Sequence, residues 1–190
     1  GAYGGNASPD LTHVTLSGNS AAAGGGAIAV YGVAGTASVV VRNSILTGNT
    51  GSSAADASLV RDGGSASFDT TNVQGGCPAA ATCSNVIDLV MALGPLDWNG
   101  GATRTMLPGA NSLALNRAAD GFCAATDQRG IARPQGSKCD LGAVERRLFV
   151  LNVSVVGNGT VSSTGLGGIA LCSAAGGTCS GHVIDVADPD

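Results

Sequence analysis

Ionisable residues gather in two places along this chain, and each could support chemistry. One is the run that holds Asp127, Arg129, Arg133, Asp140 and Glu145; the other is Asp56, Asp62 and Asp69 with Arg42 and Arg61. Two carboxylates about 5–10 Å apart can cleave a glycosidic bond, one as the acid and the other as nucleophile or base. A lyase needs instead a base poised near neutral pH and a cation to hold the developing carbanion. The sequence pairs no nucleophile with a base in either place. For the first group the preferred reading is therefore structural: Arg129 and Arg133 bridge carboxylates and backbone carbonyls and close the end of the fold as a cap. For the second, Asp56, Arg61, Asp62 and Asp69 are the candidates if the chain is an enzyme. Asp10 and His13 lie near the first strand, where a lone histidine serves packing or surface better than catalysis.

The elements that must position these residues repeat. Leu11-Thr12-His13-Val14-Thr15-Leu16-Ser17-Gly18-Asn19-Ser20 aligns with Val41-Arg42-Asn43-Ser44-Ile45-Leu46-Thr47-Gly48-Asn49-Thr50 at an offset of 30 residues. Each copy is too short to bury its own apolar face, so it must stack on the next. Short β-branched strands, such as Val39-Val40-Val41, alternate with Gly, Asn and Ser turns, which predicts an all-β fold. Asn19 and Asn49 occupy equivalent turns, where stacked amides satisfy each other and the bend's backbone groups. Ala66 to Val73 reads as a third, irregular copy, and Asp88 to Leu93 as a short helical turn.

Composition narrows the function classes. Glycine fills 31 positions while aromatics make up 3% and charged residues 12%, which suits a thin, repetitive core of Val, Ile, Leu and Ala. With one lysine, Lys138, and no basic cluster larger than Arg146-Arg147, nucleic acid is not an expected partner. No apolar run nears the roughly 18 residues of a membrane span, so membrane insertion by this stretch is not expected. The cysteines fall in local pairs, Cys77 and Cys83, Cys123 and Cys139, Cys172 and Cys179, which predicts disulfides formed outside the cytoplasm. With no C-x-x-C, two histidines and no calcium loop, neither metal nor cofactor is expected. A threonine ladder for ice is broken, because Thr12 aligns with Arg42 and Thr15 with Ile45.

The most specific stretch runs from Gly94 to Glu145. It contains Gly94-Pro95-Leu96, Asn99-Gly100-Gly101-Ala102-Thr103-Arg104-Thr105, Leu107-Pro108-Gly109-Ala110-Asn111-Ser112-Leu113-Ala114-Leu115, Asp127-Gln128-Arg129-Gly130, Arg133-Pro134 and Cys139-Asp140-Leu141-Gly142-Ala143-Val144-Glu145. Together with Gly24-Gly25-Gly26-Ala27-Ile28 and the Gly-Asn turns, these motifs resemble the choice-of-anchor Q domain of bacterial surface proteins. The resemblance covers residues 1–147. It implies the C-terminal coils and cap of a right-handed parallel β-helix of pectin-lyase-like type, and a secreted or cell-surface location.

Residues 148–190 read as a second element that resembles a small bacterial surface β-repeat, cut short. Phe149, Leu151, Val153 and Val155 alternate as in a half-buried strand, and Gly157-Asn158-Gly159 predicts a hairpin returning through Thr160 to Ser163. The combined expectation is an adhesin-like scaffold that binds polysaccharide or a surface glycan, the alternative being a lyase or glycoside hydrolase of the same fold. An open end of the stack is expected to drive self-association.

Overall fold

The computed structural model describes residues 6–22, 24–32, 36–51, 59–154, 160–161, 172–173 and 178–184, with the backbone alone for 59–61 and for those beyond 147. The chain divides into two compact units, Gly1–Glu145 and Arg146–Asp190.

The first unit is all-β and built from stacked parallel sheets. Four levels follow one another. The first holds β1 (Asp10–Thr12), β2 (Thr15–Ser17) and β3 (Ala29–Tyr31), and the second β4 (Ser38–Arg42), β5 (Ile45–Thr47) and β6 (Leu59–Arg61). The third has β7 (Ser65–Asp69) and β8 (Asn72–Val73), and the fourth β9 (Ala81–Ser84) with a bridge at Ile87. Strands pair in the orders β1-β4-β7-β9, β2-β5-β8 and β3-β6, all parallel. Leu11 lies beside Val41, Val41 beside Phe68 and Phe68 beside Cys83; Leu16, Leu46 and Val73 form a second column.

Alternation puts the apolar side of each strand inside. In β4, Val39 and Val41 are buried between half-exposed Ser38, Val40 and Arg42, and with Phe68, Leu46, Val73, Val30 and Ala66 they form one core. The first two sheets meet at a bend whose residue is left-handed at every level: His13, Asn43, Thr70 and Asn85, with φ of 55°, 48°, 45° and 53°. Asn tolerates that conformation because its short polar side chain bonds locally, so the bend is written into the repeat. Asn49 at the next corner accepts from Asn19 Nδ2 (2.8 Å) and donates to Leu16 O (2.9 Å), which is the expected amide ladder. At level three the chain has no matching Asn; Gln74 takes over, accepting from Thr47 Oγ1 at 2.8 Å and Gly48 N at 3.1 Å. At Gly26 neighbouring levels run close, since a Cβ there would sit 2.6 Å from Thr50 O.

Beyond the fourth level the chain changes character. No helix forms over Asp88 to Leu93: Asp88 instead accepts from Gly75 N at 2.7 Å, and Leu93 opens β10 (Leu93–Asp97), which pairs antiparallel with β11 (Thr105–Pro108). Met91, Ala114, Ala118, Cys139 and Leu141 then pack on Ile45, on the outer side of β5, as a second core. This segment lies along the flank of the stack. Residues from Asn116 to Ala119 line a groove with Thr70 and Asn85, Ala119 bonds Asn43, and Ala143 bonds Thr15, so the segment runs back from level four to level one. Asn43 makes this possible at the bend: its carbonyl accepts from Gly142 N and its side-chain amide bonds the backbone of Ala119.

In the second unit β12 (Leu148–Ser154) pairs antiparallel with β15 (Thr178–Ile184), and β13 (Thr160–Val161) with β14 (Cys172–Ser173). Among the described residues the expected return strand, Thr160–Val161, pairs with β14 and not with β12. A seven-residue strand finds a seven-residue partner, and the short return segment pairs elsewhere. The turn residues 157–159 and the side chains of Cys172 and Cys179 lie outside what is described.

Candidate functional site

Asp127, Arg129, Arg133, Asp140 and Glu145 come together on the flank. The loop that carries the first three doubles back on itself: Asp127 N donates to Ile131 O and Arg133 N to Ala125 O. Asp127 opens a tight turn closed by Gly130, whose φ of 84° suits glycine, and its carboxylate accepts from Arg129 N and Ile131 N. Its other oxygen accepts from Arg129 Nε at 3.0 Å and Glu145 N at 2.9 Å. Glu145 is fully buried and accepts from Arg133 (2.9 Å), Asp140 N (2.8 Å) and Gln135 N (2.8 Å). Arg133 also donates to the carbonyls of Asp140 and Gly142, and Arg129 to those of Asn99 and Glu145. The Asn99-Gly100-Gly101 motif thus receives its meaning from Arg129: Asn99 Nδ2 braces Thr105, and its carbonyl holds the guanidinium.

These carboxylates are spent on the fold. Asp127 accepts four hydrogen bonds and Glu145 three, both are buried, and freeing either would leave a buried guanidinium uncompensated. The disulfide Cys123–Cys139, Cα atoms 6.1 Å apart, ties the two ends of the same segment, and Cys77–Cys83 closes the small loop before β9.

The other candidates do not converge. Asp56 lies outside the described residues. Arg61 ends β6, in register with Tyr31, and exposed Asp62 follows it in a left-handed turn. Asp69 ends β7 in register with Arg42 and accepts from Thr70 Oγ1. Gly63, Gly64 and four strand residues, at about 3.3 Å each, separate Asp62 from Asp69, too far for a carboxylate pair. Arg42 bonds Asp10 instead and stacks 4.7 Å over the Phe122 ring. Among the described residues no three His, Cys, Asp or Glu side chains are placed to hold a metal, and no helix is long and apolar enough to cross a membrane.

Sequence reasoning passed over the partners that receive this segment. Asn43 Oδ1 accepts from Ala119 N (2.8 Å), and its Nδ2 donates to Ala119 O (3.1 Å) and faces His13 Nε2 at 3.3 Å. Gly142 N donates to Asn43 O, and a Cβ on Gly142 would meet Thr15 Oγ1 at 2.6 Å and Ile45 Cδ1 at 2.7 Å. His13 is buried where stack and flank meet, and its pKa falls to about 4, because burial penalises the cation and Arg133 repels it. The one available signal was positional: His13 and Asn43 are equivalent in the repeat, and both are polar. Between His13 and the flank lies a cleft of about 320 Å³ lined by Thr12, His13, Thr15, Asp127, Gln128 and Arg133 among others.

Compared with family models, curated proteins and solved structures, the chain gives no match in any of the three.

Proposed function

We propose that this chain is part of a right-handed parallel β-helix that serves as a scaffold at a bacterial cell surface, related to the choice-of-anchor Q domain, and that it binds glycan without cleaving it. The observation that carries this reading is the register of the levels, which places Leu11, Val41, Phe68 and Cys83 in one column although the chain between them shortens. The same register stacks the outward residues Asp10, Val40, Ser67 and Thr82 into an extended face on which a long polymer can lie. The full engagement of Asp127 and Glu145 supports a structural role for the charged segment, and disulfides suit an oxidising location.

A glycan array run beside a polysaccharide depolymerisation screen, with and without calcium, tests the reading. Binding without turnover is expected. New reducing ends or unsaturated products would overturn it in favour of a lyase or hydrolase, with Asp56, Asp62, Asp69 and Arg61 the first residues to substitute. Among the described residues β1, β2 and β3 each pair on one side only, and we infer self-association through that edge. A monodisperse monomer in sedimentation would count against it.

A further inference from the structure

The chain's single tryptophan, Trp98, is left in water while the backbone on both sides of it is held fast. It follows β10 directly and is 53% exposed. Its N–H donates to Asp97 Oδ1 at 2.8 Å. Asn99 is buried; its Nδ2 donates to the carbonyls of Asp97 (3.2 Å) and Thr105 (2.9 Å), and its own carbonyl accepts from Arg129 at 3.0 Å. Across the turn, Gln128 Nε2 donates to Thr103 Oγ1 at 2.8 Å, and a Cβ on Gly101 would meet Arg129 Cα at 3.1 Å. Both neighbours of Trp98 are thus anchored, to β11 and to the loop that carries Arg129. Covering a residue whose backbone is already fixed costs little ordering entropy.

The surroundings of the indole select what can cover it. β10 and β11 pair Leu96 with Met106 and Asp97 with Thr105, and one further step in that register sets Trp98 opposite Arg104. Leu96 is 55% exposed, and Asp97 and Arg104 are exposed too. Neither the Arg104 guanidinium nor Asp97 Oδ2 has a hydrogen bond or ion pair among the described residues. Two apolar side chains fall far short of the roughly 800 Å² per partner that a stable protein interface buries. One flat ring with hydrogen-bonding groups beside it fits a ligand that is apolar on its face and hydroxylated round its rim. A pyranose with equatorial substituents has that form. Its C–H bonds meet the negative face of the indole, and its hydroxyls lie outward, free to accept from a guanidinium and donate to a carboxylate. The charges of Arg104 and Asp97 cancel, so shape does the selecting.

We propose that Trp98 is a sugar-stacking platform: one ring of a β-linked glucose or N-acetylglucosamine chain lies on the indole, and Arg104 and Asp97 bond its hydroxyls. The inference rests on the glycan-binding reading and gives it a location.

Because no other tryptophan is present, intrinsic fluorescence reports on this ring alone. Cellopentaose and chitopentaose are titrated into the chain, with sorbitol as a hydroxylated control that has no ring. A saturable change in emission and weaker quenching by acrylamide are expected with a pentaose and not with sorbitol. Trp98→Ala should weaken binding roughly tenfold or more by calorimetry, while Trp98→Tyr, which keeps a flat ring, holds most of it. Arg104→Ala should weaken it roughly threefold. Unchanged circular dichroism and disulfide content show that the variants fold, and the quenching of the wild-type chain decides without them. An equal response to sorbitol overturns the platform. So does an emission change on raising the protein concentration without sugar, which means a second copy covers the ring, or one on adding phosphatidylcholine vesicles, which means lipid does. If Trp98→Ala keeps the wild-type array pattern, the platform fails while the glycan-binding reading stands. If the wild-type chain binds nothing on the array and neither pentaose alters its emission, both fail.

Discussion

The stack and the flank segment are held by opposite means. In the stack each strand repeats what its neighbours do: Val41 touches the column that Leu11 and Phe68 continue, and backbone pairing carries on whichever apolar side chain is present. In the flank segment nothing repeats. Glu145 has one Arg133, Asp127 has one Arg129, and the ion pairs lie beneath the surface, with side chains 2% exposed or less. The difference teaches that damage should be graded in the stack and close to all-or-none in the flank, because a buried charge that loses its partner has no second choice.

Glu145→Ala sets the largest effect and tests the comparison most directly. It strands the Arg133 guanidinium, and the expected cost is about 3–5 kcal/mol. Hydrogen exchange should show protection lost across 112–145 while 38–47 and 65–73 stay protected; loss in both would erase the distinction. Leu46→Ala, in the inner column, should cost about 2–5 kcal/mol by chemical denaturation, spread over levels rather than confined to one.

Lowering the pH probes the contact between the two regions. The folded pKa of His13, about 4, lies below the ordinary 6.5. Between those values the unfolded chain takes up a proton that the folded chain refuses, so stability is full above about 6.5 and declines as pH falls towards 4. The loss is at most about 3 kcal/mol, and His13→Gln should flatten that part of a pH–stability curve. Asn49→Ala removes a ladder amide that serves Asn19 and Leu16 and should cost about 1–3 kcal/mol in the same assay. Arg42→Ala, at the surface ion pair with Asp10, should cost less than about 1 kcal/mol.

The stack was the legible part. The copies at 30 residues share their bend, their ladder Asn and their alternation, and these local features are enough to stack them. The third level was readable only as irregular, because Thr70 stands at the bend and Gln74 replaces the ladder Asn. The fourth was not read at all, since β9 follows a disulfide loop and lies only 15 residues after its partner column position, Phe68 to Cys83. Among the charged residues, Asp127, Arg129, Arg133, Asp140 and Glu145 could be grouped from their density alone. Where they sit could not. Their place depends on Asn43, Thr15 and His13, distant in sequence and, taken singly, no different from turn and strand residues. The long strand pairing in the second unit was hidden for the same reason: a strong local turn at Gly157-Asn158-Gly159 outweighed a partner about thirty residues away.

The direction in which the flank segment runs has a mechanical consequence. A ladder of levels bonded only to its neighbours can be peeled rung by rung, and each rung lost costs little. Here a single strap crosses the edges of every rung, from Asn85 and Thr70 to Asn43 and Thr15, and is buckled by Cys123–Cys139. Pulling the rungs apart along their axis loads the strap at all its attachment points together, so the unit should resist and then give way in one step instead of unravelling from an end.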